Sequence, residues 1–210
     1  MNAERGRPRS FDTDTALDRA TEVFWRHGFQ GASMAELTAA TGLSKPSLYA
    51  AFGDKEALYL RCLQRYGARQ VEMQTALLDS EPDARRAVEG FMRAMVRFQT
   101  DPRLPGGCFV VNGTADCGGT TTPPAVDEAL RGASGGVEQR LFRRLQRAER
   151  EGQLPPGIKA KPLATLLASV LTGTAVMAKA GQPCSRLDEV IGAAMLAWPV
   201  PAPPARTRAR

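Results

Sequence analysis

A single histidine, His27, stands in 210 residues, and only 6% of the chain is aromatic. With one imidazole and four cysteines (Cys62, Cys108, Cys117 and Cys184), no zinc ligand set of the usual spacing can be drawn, and Cys108 and Cys117 are nine apart rather than a close pair. A Cys–His dyad is disfavoured for the same reason. The phosphate-loop pattern GxxxxGK[ST], the zinc pattern HExxH and the nucleophile elbow GxSxG are all missing. No metal, cofactor or catalytic residue is therefore expected, and an enzyme is disfavoured. No apolar run reaches the ~18 residues of a membrane span, and MNAERGRPRS lacks the apolar stretch of a secretory signal. The expectation is a cytoplasmic chain with no membrane partner and with reduced thiols.

Alternation of β-branched and aromatic residues is also scarce, and helical periodicity runs almost throughout, so the chain reads as all-α. Its net charge of +6 is unevenly spread. Residues 1–60 hold seven basic and eight acidic side chains, but Arg5, Arg7 and Arg9 crowd the first ten residues and Arg206, Arg208 and Arg210 the last five. Both ends read as basic tails.

The first predicted helix starts near Asp12 and Thr13 and ends at Gly28, with Leu17, Ala20, Val23 and Phe24 as its inner stripe. Ser33 followed by Glu36 is a capping box that opens the second. Gly42 ends it, and Ser44 with Pro46 opens a third that runs to about Gly53. Asp54 caps a long fourth helix, able to link two modules. DARRAVEGFMRAMVRFQT, a short helix from Cys108 to Asp116, and one helix from Pro124 to Gly152 with a weak point at Gly132, Gly135 and Gly136 come next. PLATLLASVLTGTAVMAKAG and RLDEVIGAAMLAW complete the set, before a disordered end.

The decisive stretch is TGLSKPSLYAAF, from Thr41 to Phe52. Leu48 and Phe52 share one face, four residues apart, and belong to the core. Pro46, Ser47, Tyr49 and Ala50 then point outward. A helix, a glycine turn and a short helix with an outward polar face make a helix-turn-helix, whose second helix lies in the major groove. Lys45 reaches a phosphate or a guanine edge, Ser47 hydrogen-bonds, and Tyr49 and Lys55 suit phosphates. The helix N-termini at Ser33 and Ser44 offer backbone N–H groups to phosphate oxygens. Tyr49 packing on the domain surface is the competing reading. Arg5, Arg7 and Arg9 are either an arm in the minor groove or a tail adding salt-dependent affinity.

From about Leu17 to Leu60, the run ALDRATEVFWRHGFQGASMAELTAATGLSKPSLYAAFGDKEALY resembles the N-terminal domain of the TetR family of bacterial transcriptional repressors. The resemblance implies a homodimer that binds a palindromic double-stranded DNA operator and releases it on binding a small-molecule inducer. It maps Ser33, Lys45, Ser47, Tyr49 and Lys55 onto the family's DNA-contacting positions. Ala50 departs from the family, where a large polar residue is common. The expected organisation is a basic arm at 1–10, a helix-turn-helix domain at 11–55, a ligand-binding and dimerisation domain at 56–198 and a tail at 199–210.

Beyond Leu60 the resemblance is thinner. RAEREGQLPPG and the small-residue helix after it are similar to the family's ligand-binding half. The family implies that the last two long helices form a dimer bundle. Leu163, Leu167, Val170, Leu171 and Thr174, with Val190, Ile191, Ala194, Met195 and Trp198, are the candidate interface; the competing reading makes them monomer core. Phe91, Met92, Met95, Phe98, Phe109, Phe142 and Met177 are candidate pocket residues, or plain core. With little charge among them, an uncharged or mildly polar ligand is expected. Cys108 follows two glycines at an expected helix start, where a thiol pKa falls. By resemblance to family members that sense electrophiles or oxidants, Cys108 is a candidate sensor and Cys117 its resolving partner; a buried structural thiol is the alternative. A dimeric helical adaptor without DNA binding is the remaining functional alternative.

Overall fold

The computed structural model describes residues 12–198 apart from Asp116 and Thr120. Arg5, Arg7 and Arg9, and the expected tail from 199, lie outside the described residues. Among the described residues every regular element is helical.

Helices α1 (Thr13–Gly31), α2 (Met34–Thr41) and α3 (Lys45–Phe52) form the N-terminal unit. Asp12 caps α1 by accepting the Asp14 N–H at 3.0 Å. Gly28 interrupts α1 with φ 72°, a left-handed value that favours glycine, and one further turn follows it. The capping box at α2 is complete: the Glu36 N–H bonds Ser33 Oγ at 3.1 Å, and the Ser33 N–H bonds Glu36 Oε2 at 2.8 Å. Gly42 closes α2 in the left-handed region. Ala20, Phe24, Leu37, Leu48 and Phe52 fill the core, while Leu17 and Val23 are only part-buried.

α4 (Lys55–Asp79) is capped by Asp54 and spans both halves of the molecule. Its first turns present Leu58, Tyr59, Cys62 and Tyr66 to α1 and to α6 (Phe109–Thr114). The FVVN stretch is thus helical, with Cys108 extended just before it. Phe109 of α6 and Val126 and Leu130 of α7 (Pro124–Ser134) join the N-terminal core. A second core gathers α5 (Ala84–Gln99), α8 (Gly136–Arg150), α9 (Ala160–Lys179) and α10 (Cys184–Ala194). The glycine-rich RGASGG divides the segment expected as one helix into α7 and α8 at Gly135. Arg144 of α8 is buried against the end of α4. Its Nε donates to the Leu78 carbonyl at 3.0 Å, and its Nη2 donates to those of Glu81 and Pro82 at 3.1 and 3.0 Å.

By length and composition α9 is apolar enough to cross a membrane. Its leucines, however, face the chain's own core, and this corrects the expected dimer interface. Leu163, Leu167, Leu171, Thr174, Ile191, Met195 and Trp198 are all buried within one protomer, where they are already covered by α5, α8 and α10. Val170, Val190 and Ala194 are half-buried. The free face of these helices carries Leu166, Ser169, Gly173, Val176 and Ala193, with Leu196 just beyond α10.

Candidate nucleic-acid interface and effector cavity

Leu48 and Phe52 are at most 1% exposed and fix the rotation of α3. Ser44, Lys45, Pro46, Ser47, Tyr49 and Ala50 consequently face solvent together. Ser44 caps α3, accepting the Ser47 N–H at 3.3 Å, and the two hydroxyls sit 2.9 Å apart. Pro46 lies in the first turn, where no N–H is missed. Lys45 Nζ lies 5.7 Å from the Tyr49 ring centroid, so the two side chains form one exposed unit. Tyr49 does not bury its ring and is 39% exposed. The Tyr49 hydroxyl makes no hydrogen bond among the described residues.

Ser33 and Lys55 sit differently. The Ser33 hydroxyl donates to Glu36 Oε2 at 2.7 Å, so a carboxylate stands beside that helix start. Bonds from the Ser33 N–H and hydroxyl hold the Glu36 carboxyl below its usual value. Lys55 folds its ammonium over the Phe29 ring at 4.8 Å. Burial lowers its pKa, and Glu36 partly offsets this. His27 Nε2 lies 3.7 Å from Glu36 Oε1.

A cavity of about 230 Å³ opens among α4, α5, α6, the end of α7, α8 and α9. Of the nine pocket candidates, Met95, Phe98 and Cys108 line it. Six do not. Phe91 and Met92 are buried in the C-terminal core, and Phe142 and Met177 pack against that core. Phe109 packs edge-on against Tyr59 and Tyr66 in the other core. The Cys117 thiol bonds Asp127, which also accepts the Gly118 N–H at 3.0 Å. The polar walls, Tyr66, Gln70, Gln74, Gln99 and Arg140, are among those missed from sequence. Packing turns each inward: Arg140 of α8 meets Gln74 of α4, Gln99 bonds α9, and Tyr66 packs between Trp25 and Phe109.

Cys108 precedes α6, and its Sγ accepts the Tyr66 hydroxyl at 3.4 Å. Burial, then the neighbouring thiol, keeps the Tyr66 phenol well above its usual pKa, so it stays a donor. Cys62 is different, since burial pushes its pKa up to about 12. Two cavity residues also touch the N-terminal unit: Trp25 of α1 stacks on Phe98 at 5.8 Å and meets Tyr66 edge-on at 5.2 Å. Trp25 Nε1 donates to the Gly106 carbonyl at 3.0 Å, and Asn112 Nδ2 reaches that same oxygen at 3.2 Å. Between them Gly107 (φ 69°) presses against α9, where an added Cβ would lie 2.7 Å from the Ala175 carbonyl oxygen. On the other flank, Arg65 Nε and Arg69 Nη1 donate to Asp18 Oδ1 at 2.8 and 2.7 Å.

An outward recognition helix on a three-helix unit, coupled through one long helix to a hollow helical module, defines a helix-turn-helix transcriptional regulator. Comparison with known proteins agrees. Residues 84–194 match the profile described as tetracyclin repressor-like, C-terminal domain, and residues 16–62 that of the bacterial regulatory proteins, tetR family. The chain is 32% identical over 202 residues to the HTH-type transcriptional repressor ComR of Escherichia coli K12, spanning 95% of this chain and 94% of ComR. It is 40% identical to the TetR family transcriptional regulator CifR, solved as a cysteine mutant with a 26 bp operator duplex, with a TM-score of 0.83 over 92% of this chain and 100% of that one. Reduced Escherichia coli NemR shares the fold, with a TM-score of 0.77 over 90% of this chain and 98% of its own at 21% identity. The chain belongs to the TetR family.

Proposed function

We propose that the chain is a repressor that binds a palindromic operator as a homodimer and releases it when the cavity is occupied or Cys108 is modified. The observation that carries the DNA reading is the outward set on α3, anchored by Leu48 and Phe52. Lys45 and Ser47 read base edges or phosphates, and Tyr49 holds a phosphate. Ser33 contributes its helix N-terminus rather than its hydroxyl, which Glu36 occupies. Lys55 leaves Phe29 to reach DNA. Arg5, Arg7 and Arg9 add contacts along the neighbouring groove. The operator-bound state of CifR supports this reading.

Homodimerisation uses the free face of α9 and α10, through Leu166, Gly173, Val176 and Leu196. Signalling from the cavity uses the wall it shares with α1. An occupant that displaces Phe98 or Tyr66 moves Trp25, and modification of Cys108 moves the Gly106–Asn112 turn on which Trp25 is fixed. Release requires the occupant to favour the non-operator state by a few kcal/mol. Such a regulator acts in the cytoplasm, where operator DNA is.

Fluorescence anisotropy with a labelled fragment from upstream of the chain's own gene tests the DNA reading. Lys45→Ala and Tyr49→Ala are expected to weaken binding roughly tenfold each, about 1–2 kcal/mol, with unchanged helicity. An adaptor or enzyme would show no such loss.

A further inference from the structure

Arg140 differs from the other inward-reaching arginines. Arg65 faces Asp18, Arg93 faces Glu89, and Arg144 is held by three carbonyls. Arg140 is half-buried in the cavity wall, and its one hydrogen bond among the described residues runs from Nε to Gln74 Oε1 at 2.7 Å. Gln74 Nε2 in turn donates to Gln70 Oε1 at 2.9 Å, which leaves the Gln70 amide group at the cavity. No carboxylate pairs with Arg140 among the described residues; the charged group that bears on it is Arg143, of the same sign. Its terminal nitrogens lie beside Gly136, where a Cβ would come within 3.2 Å of both. Gly136 and Val137 open α8, which has no side-chain cap and whose positive end lies along the cavity. Glu138, the acid of that first turn, is committed to Lys161 and to Thr165 at 2.9 Å. Much of the remaining wall is apolar, including Met95, Phe98, Val110, Val137 and Leu171.

A guanidinium with free donors, in a mostly apolar hollow and without a counter-ion, is complementary to an anion with an apolar body. We infer that the cavity takes a small apolar molecule carrying one carboxylate, held by Arg140 and steered by the Gln74–Gln70 pair. This inference rests on the reading of the cavity as the effector site. One cation matches a monoanion better than a phosphate dianion, and the volume falls below the ~300–1,000 Å³ of pockets for drug-sized ligands. The occupant expected from sequence is uncharged or mildly polar; the difference is Arg140, which lines the cavity from α8.

Calorimetry on the full chain tests it with a set of monocarboxylates from acetate to phenylacetate, the neutral isostere phenylacetamide, and inorganic phosphate. Phenylacetate is expected to bind at least about tenfold tighter than phenylacetamide, the scale of one charge-assisted hydrogen bond. Arg140→Met should abolish that preference and Arg140→Lys should retain part of it, with a melting curve checking that each variant is folded. If Arg140→Met does not fold, Arg140→Lys alone decides. Equal affinity for acid and amide, a preference that survives Arg140→Met, tighter binding of phosphate, or no binding by any monocarboxylate would each overturn the inference. Operator retention read in the same samples separates the two claims. Carboxylate binding that leaves DNA bound keeps the anion site and defeats the effector reading; release of DNA without acid preference does the reverse.

Discussion

At the scale of single residues, the two cysteines along α4 and α6 make opposite predictions. Cys62 is fully buried with its pKa pushed up to about 12, so it stays a thiol at neutral pH. Cys108 lies in a cavity wall with a phenol donating to its sulfur. A thiol-modifying reagent is expected to label Cys108 before Cys62, and mass spectrometry of the tryptic peptides reads this directly. Labelling of Cys62 ahead of Cys108 would contradict the assignment. Gly107 makes a stability prediction. Alanine there meets both a left-handed φ and a carbonyl oxygen at 2.7 Å. Gly107→Ala is expected to cost at least about 2 kcal/mol, lowering Tm by ~4–8 °C. The residues of α3 were readable from sequence because Leu48 and Phe52 fix which face is inner. The cavity residues were not, because Phe91 and Met92 belong to the same apolar stripe of α5 as Met95. Only packing against α9 separates core from wall.

At the scale of elements, α4 is the helix that packs into both cores. Beside its apolar contacts with α1, it holds the Asp18 carboxylate between Arg65 and Arg69. Burial raises the Asp18 pKa, but the bonds from the two arginines outweigh it, and the net value is lowered. The stabilisation is therefore present in full above the ordinary carboxylate value of ~3.9 and is lost as pH falls through the depressed folded value. Asp18→Asn is expected to remove that acid-side dependence, and to loosen the response of DNA binding to cavity occupancy while α3 keeps its contacts. Melting curves across pH for both proteins check the first expectation, and operator titrations the second. The helix boundaries were legible where a cap has a side chain, as at Ser33, Ser44 and Asp54. They were less so at Gly135, where a glycine cluster carries no side chain to show whether the helix bends or ends.

At the scale of the whole molecule, the account needs two recognition helices set by one symmetric interface. The sequence marks α9 and α10 as apolar but cannot divide their faces, since leucine fills a monomer core and a dimer seam equally well. The fold assigns Leu163, Leu167 and Leu171 to the core and leaves Leu166 and Val176 at 45% and 56% exposure. Replacing both exposed residues with glutamate is expected to give a folded monomer with operator affinity lowered by two or more orders of magnitude, since each half-site then binds alone. Light scattering after gel filtration reads the mass. A dimer that persists would move the interface elsewhere.

The most direct measurement is binding of the intact chain to the DNA upstream of its own gene, across a salt series, with and without a thiol-modifying reagent. The account predicts specific binding that weakens linearly on a log–log salt plot, is lost on treatment with the reagent, and persists under treatment in Cys108→Ser. Binding that ignores the reagent would confine Cys108 to a structural role. Absence of any preferred sequence, there or in selection from random DNA, would contradict the central claim that this chain is an operator-binding repressor.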